Sequence, residues 1–151
     1  MAKQFFIGID PGKSGAMAIY DKHTNDMIAL GFDKEAYLEE LEFVARHDEP
    51  AVCCLEHVGA MPGQGVTSMF NFGENFGWIQ GVLEAFKIPY ELVRPQKWKN
   101  EFSITSDKNS SIDVCRRLYP HLNLKRTEHS RKDDDNLAEA ALMATYAFRK
   151  L

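Results

Sequence analysis

Phe5-Phe6-Ile7-Gly8-Ile9-Asp10-Pro11-Gly12-Lys13-Ser14-Gly15-Ala16 decides how the rest of the chain is read. An apolar run delivers one carboxylate, Asp10, into a Pro-Gly turn, and a second apolar run, Met17-Ala18-Ile19-Tyr20, leaves it. Apolar runs on both sides of a turn signal predict a hairpin of buried strands. A carboxylate at the end of a buried strand needs a cation, a metal ion or a turn role, because an unpaired buried charge is strongly destabilising. Aspartate also opens turns by bonding its own backbone. By itself the stretch leaves a turn role and a site role evenly matched.

Working outward, Asp26-Met27-Ile28-Ala29-Leu30-Gly31-Phe32 fits a third strand and completes an antiparallel meander. Tyr37, Leu38, Leu41, Val44 and Ala45 then recur at helical spacing over residues 33–47. Ala51-Val52-Cys53-Cys54-Leu55-Glu56 is a continuous apolar run suited to a strand covered on both faces, and like the first strand it ends in an acid. After the glycine loop Pro62-Gly63-Gln64-Gly65, a helix is predicted over roughly 69–87. Its Gly73, Gly77 and Gly81 recur every fourth residue and form a flat stripe for another backbone, either the sheet or a symmetry partner. A fifth strand over 88–94, a short turn of helix opened by Pro95, a helix over 107–119 and a last helix from about Asp133 complete the order βββαβαβαα. In the helix over 107–119, Ile112, Val114, Cys115 and Leu118 are expected to face inward. The order defines an α/β domain with a five-stranded mixed sheet, three antiparallel strands followed by parallel ones, flanked by helices.

A chain of 151 residues with 44% hydrophobic residues is expected to form one domain with a substantial core. No run approaches the ~18 apolar residues of a membrane span, and the N-terminus lacks an apolar h-region, so a cytoplasmic protein is expected. Three cysteines, two of them adjacent in an apolar run, read as reduced core thiols. The net charge is −4, but residues 94–132 carry ten Lys/Arg against four acids, a segment of +6 on a remainder of −10. Such a block on an acidic chain reads as an electrostatic footprint for phosphate or, alternatively, as a solvated helix face, and favours nucleic acid only weakly.

The last helix opens Asp133-Asp134-Asp135-Asn136-Leu137-Ala138-Glu139-Ala140-Ala141. Asp133 or Asp134 can cap it. Asp135 and Glu139, four apart, share one face, where like charges destabilise a helix unless a cation sits between them. Ala138, Ala140, Ala141 and Ala144 let the helix lie close against a sheet and carry its acids toward the strand ends. Asp10, Glu56, Asp135 and Glu139 thus form an all-oxygen set suited to Mg²⁺, with Mn²⁺ as a substitute. Two such ions about 4 Å apart activate a water and stabilise the leaving oxygen in phosphodiester hydrolysis.

Ile7-Gly8-Ile9-Asp10-Pro11-Gly12, then Leu55-Glu56, then Asp135-Asn136-Leu137-Ala138-Glu139-Ala140 resemble the RuvC family of Holliday-junction resolvases, which have the ribonuclease H-like fold. Pro62-Gly63-Gln64-Gly65 and Pro95-Gln96-Lys97-Trp98-Lys99 resemble the bacteriophage branch of that family. The resemblance implies a homodimer that binds four-way DNA junctions and other branched DNA and nicks two strands symmetrically, with divalent metal and no small-molecule cofactor. The chain departs from the cellular members in two places. They carry an aromatic wedge where this chain has Gly59, Ala60 and Met61, which leaves Met61, Met69 or Phe70 as wedge candidates. They also space the helix acids by three and end on Asp, which keeps Asp134 as a reserve for the Asp135 role.

Lys13, Lys97, Lys99, Arg116, Arg117, Lys125, Arg126 and Lys132 are the candidate DNA contacts; Lys132 also stands where it could stabilise transition-state charge. Trp98 reads as core rather than as a base-stacking platform. Two other classes compete. The Asp-Pro-Gly turn also resembles the phosphate loop of sugar kinases and actin-like ATPases, which need a second, similar domain for which 151 residues leave no room. A non-catalytic junction binder would carry four acids that repel one another and DNA phosphate. A general ribonuclease H-like nuclease is a further alternative.

Overall fold

In the computed structural model, which describes residues 2–59, 63–105 and 107–151, the opening stretch forms the expected hairpin of β1 (Phe5–Asp10) and β2 (Ala16–Asp21). β3 (Asp26–Gly31) pairs antiparallel with β2. β4 (Ala51–Glu56) and β5 (Tyr90–Val93) continue the sheet in parallel on the other side of β1, giving the order β3-β2-β1-β4-β5. The helices are α1 (Lys34–Ala45), α2 (Val66–Ala85), α3 (Pro95–Glu101), α4 (Lys108–Leu118) and α5 (Asp135–Lys150). The expected mixed sheet flanked by helices is present, and none of the described helices is long and apolar enough to cross a membrane.

Strand alternation sorts the core into two layers. Phe6, Ala16, Ala18, Val52 and Cys54 pack with α5, Trp98 and Cys115 on one face. Ile7, Ile9, Met17, Cys53 and Leu55 pack on the other against Tyr37, Leu41 and Val44 of α1 and Ile79 and Leu83 of α2. Both faces of β1 and β4 are therefore covered, which is why their sequences are continuous apolar runs rather than alternating ones. All three cysteines are buried free thiols.

α5 lies directly on β1. A Cβ on Gly8 would collide with the Ala140 carbonyl oxygen, the Ala144 amide and the Met143 carbonyl carbon. Glycine at 8 facing alanines at 140 and 144 is what permits a backbone-to-backbone approach.

Two helical stripes are narrower than their periodicity predicts. Tyr37, Leu41 and Val44 form the buried face of α1, while Leu38 and Ala45 point outward. On α4, Ser111 and Cys115 are buried and Ile112 and Val114 pack half-buried against the core as expected, whereas Leu118 at the helix end is exposed. α2 starts three residues earlier than its apolar pattern, at Val66, capped by Gly65 in extended conformation. A Cβ placed on Gly73, Gly77 or Gly81 would meet nothing within 4 Å among the described residues, so the sheet is not what this stripe approaches.

Gly8→Ala forces α5 off the sheet and should cost about 3 kcal/mol or more, or prevent folding. Urea unfolding of the purified variant measures this, and a stability equal to wild type would contradict the packing described.

Candidate active site

β1 and β4 are parallel neighbours with Ile9 paired to Leu55. The next residue on each strand is therefore Asp10 and Glu56, side by side at the same edge of the sheet, at a strand spacing of about 4.8 Å. Alternation puts both on the face shared with Gly8 and Cys54, the face that α5 covers. The Gly8 contact fixes α5 so that its first two turns pass over this edge. Asp10 accordingly lies in the field of Glu56, Glu139 and Asp135, in that order, and burial together with these three carboxylates pushes its carboxyl up to about 8. Lys99 is the cation that opposes the shift. Glu56 is buried too, and its carboxyl is raised by burial, with a hydrogen bond from Trp98 and the charge of Lys99 holding it back. The four acids separated in sequence are one electrostatic cluster.

The three consecutive aspartates at the head of α5 have three different jobs, because successive residues entering a helix point about 100° apart. Asp133 accepts from Arg116 Nη2 at 2.7 Å and from Lys125 Nζ at 2.7 Å. These two cations hold its carboxyl below the usual range. Asp134 is the N-cap, accepting the Asn136 and Leu137 amides at 2.8 and 3.1 Å and pairing with Arg126 Nε at 2.8 Å. Asp135 is the first helical residue and the one of the three whose charge acts on Asp10, while Asp134 is taken up by capping and by Arg126.

The basic residues divide as well. Lys13, Lys97, Arg117 and Lys132 are exposed, and Lys99 is half-buried beside the acids. Arg116, Lys125 and Arg126 are committed to ion pairs within the chain, with aspartates brought close by the loop before α5. Arg126 does more: its Nη2 donates to the Ser14 carbonyl at 2.7 Å and the Gly15 carbonyl at 3.3 Å, passing over Gly31, where a side chain would strike the guanidinium. It ties the turn that carries Asp10 to the cap of the helix that carries Asp135.

Of the wedge candidates, Met69 and Phe70 are exposed on the first turns of α2, Phe70 at 68%, and Met61 lies outside the described residues. Trp98 is fully buried as expected, but nothing in the spacing announces its partner. The indole Nε1–H donates to Glu56 Oε2 at 2.8 Å. The signal available in the sequence is chemical: a buried tryptophan N–H requires an acceptor.

Among the described residues no three His, Cys, Asp or Glu side chains stand in ready coordinating geometry. The donor chemistry nevertheless fits a hard divalent cation: Asp10, Glu56, Asp135 and Glu139 offer oxygen alone, and burial and the three other carboxylates raise Asp10.

No protein-family model matches the chain, and no curated protein matches it significantly. Solved structures do. Thermus thermophilus RuvC in complex with a Holliday junction superposes with a TM-score of 0.60 at 13% identity, covering 93% of this chain and 90% of that one. Thermus thermophilus RuvC by itself gives 0.58 at 14% identity, covering 93% and 91%. The protein has the RuvC-like, ribonuclease H-like fold over nearly its whole described length.

The raised Asp10 carboxyl sets a stability expectation. A carboxylate whose folded pKa exceeds its unfolded one destabilises the fold as pH rises above about 4, the loss growing until about pH 8. In EDTA at pH 7.5, Asp10→Asn should therefore melt above wild type by several degrees. The gap should narrow toward pH 4. An equal or lower Tm at pH 7.5 would show that Asp10 is not under strain.

Proposed function

We propose that the protein is a structure-selective DNA endonuclease that resolves four-way junctions and related branched DNA by metal-dependent, paired nicking. The observation that carries the reading is the convergence of Asp10, Glu56, Asp135 and Glu139 from two strands and one helix on a single sheet edge. Its support from outside the chain is the shared fold with a RuvC whose structure holds a Holliday junction.

The four carboxylates would hold Mg²⁺, or Mn²⁺ in its place, as two ions. Bound there, divalent metal supplies Lewis-acid stabilisation of the scissile phosphate and a water of lowered pKa. The chain's own contribution is position. The Gly8 contact and the Arg126 strap hold the acids in register, with Glu56 buried and Asp10, Asp135 and Glu139 partly open to solvent. Lys13, exposed in the turn after Asp10, and Lys97, Arg117 and Lys132, exposed on the basic segment, are the proposed contacts to the DNA backbone. Arg116, Lys125 and Arg126 support that surface through their ion pairs.

Paired nicking requires two sites, and α2 is the face for a second copy. Val66, Met69 and Phe70 are exposed on it, and its three glycines stand open. Light scattering after gel filtration should give twice 17.2 kDa; a monomer that cuts both strands at equal efficiency would remove the dimer from the mechanism.

The direct test is a synthetic four-way junction beside a matched linear duplex, with Mg²⁺ or EDTA, and nicks mapped on each strand. Symmetric, Mg²⁺-dependent nicks confined to the junction are expected, with Asp10→Asn reducing them to background while junction binding persists. Cutting of both substrates would make the protein a general nuclease of this fold. Tight junction binding without cutting in either Mg²⁺ or Mn²⁺ would make it a binding protein.

A further inference from the structure

Outside the acids themselves, the buried polar contact that reaches the site most directly is the one made by Trp98. α3 places this side chain wholly inside the core, among residues that also pack against α5. A buried indole N–H needs an acceptor, and many backbone carbonyls would serve. Here the acceptor is one specific oxygen, Oε2 of Glu56, at 2.8 Å. The bond fixes the rotation of the Glu56 carboxylate and leaves Oε1 as its other acceptor atom. The donor is also neutral. An arginine or lysine in the same place would cancel the charge that a cation needs, whereas the indole orients the carboxylate and leaves its full charge in place. The face of the same ring carries Lys99, whose Nζ stands 5.6 Å from the ring centroid. Lys99 thereby stays beside the acids without bonding to Glu56.

We propose that Trp98 is a positioning residue of the site: its indole N–H holds Glu56 in a one-oxygen binding posture toward divalent metal. The inference rests on the nuclease reading for the identity of the site. Groups that orient a metal-binding side chain in this way are typically worth about 10- to 100-fold in metal affinity.

The test uses the full chain and two variants. Trp98→Phe keeps an aromatic ring and removes the donor. Site-specific β-(3-benzothienyl)alanine at position 98 keeps the bicyclic shape and replaces N–H by sulfur, so it tests the bond even if the phenylalanine variant does not fold. Mg²⁺ and Mn²⁺ are titrated without DNA, reading the metal-induced rise in Tm and the binding isotherm by calorimetry. The same metal range is then read by junction nicking. Both folded variants should need about 10-fold or more metal for half-maximal response. Their Tm in EDTA should stay within a few degrees of wild type, and nicking should be restored at saturating metal. A metal midpoint within twofold of wild type for the benzothienyl protein overturns the proposal. A wild type that binds metal with a Trp98-dependent midpoint yet nicks nothing sustains the positioning role and sinks the nuclease reading. A wild type that binds no divalent metal at all overturns both.

Discussion

The close approach of α5 to β1 at Gly8 is the constraint on which the site depends. Gly8 is two residues before Asp10, and α5 begins at Asp135, so the position of one backbone against the other sets the distance between strand acids and helix acids. Any side chain at 8 would push the helix outward and separate them. Ala140 and Ala144 make the same allowance from the helix side, and the apolar residues around them supply the burial that holds the contact closed.

That burial works against electrostatics. Burial raises both Asp10 and Glu56, and for Asp10 the neighbouring carboxylates add repulsion to that cost. The chain offsets it locally in three different ways. Asp133 and Asp134 are neutralised by Arg116, Lys125 and Arg126, so the negative charge at the head of α5 does not add to the cluster in full. Asp134 caps the helix whose dipole favours acids at that end. Glu56 is steadied by a neutral donor and by a lysine held on an indole face. A stable protein carrying an unfavourable cluster of charge is the pattern expected where charge has a use.

α2 shows a second imbalance. Its C-terminal half contributes Ile79 and Leu83 to the core, while its N-terminal half leaves Val66 and Phe70 in solvent. The two halves obey different constraints: one packs on the sheet, and the other leaves large apolar side chains exposed.

Much of this was legible in the residues. Two apolar runs ending in Asp10 and Glu56 specified two buried strands that each end in an acid, because continuous apolar runs of this length suit strands covered on both faces. The order of elements specified the mixed sheet, and the alanines of the last helix announced its close packing. Sequence spacing could not say which of three adjacent aspartates faces the cluster, because that turns on the angle at which the chain enters α5, set by the loop before it. It could not separate Arg116, Lys125 and Arg126 from the exposed cations, because an ion pair depends on which loop folds back on which helix. Nor could it join Trp98 to Glu56, since a hydrogen bond between distant residues is decided only when helix and strand are docked. The sequence by itself determined which chemical groups would be buried or exposed and at which strand ends the acids lie. Tertiary structure alone decided which of those groups meet, because direction and distance between elements are properties of packing and not of any one segment.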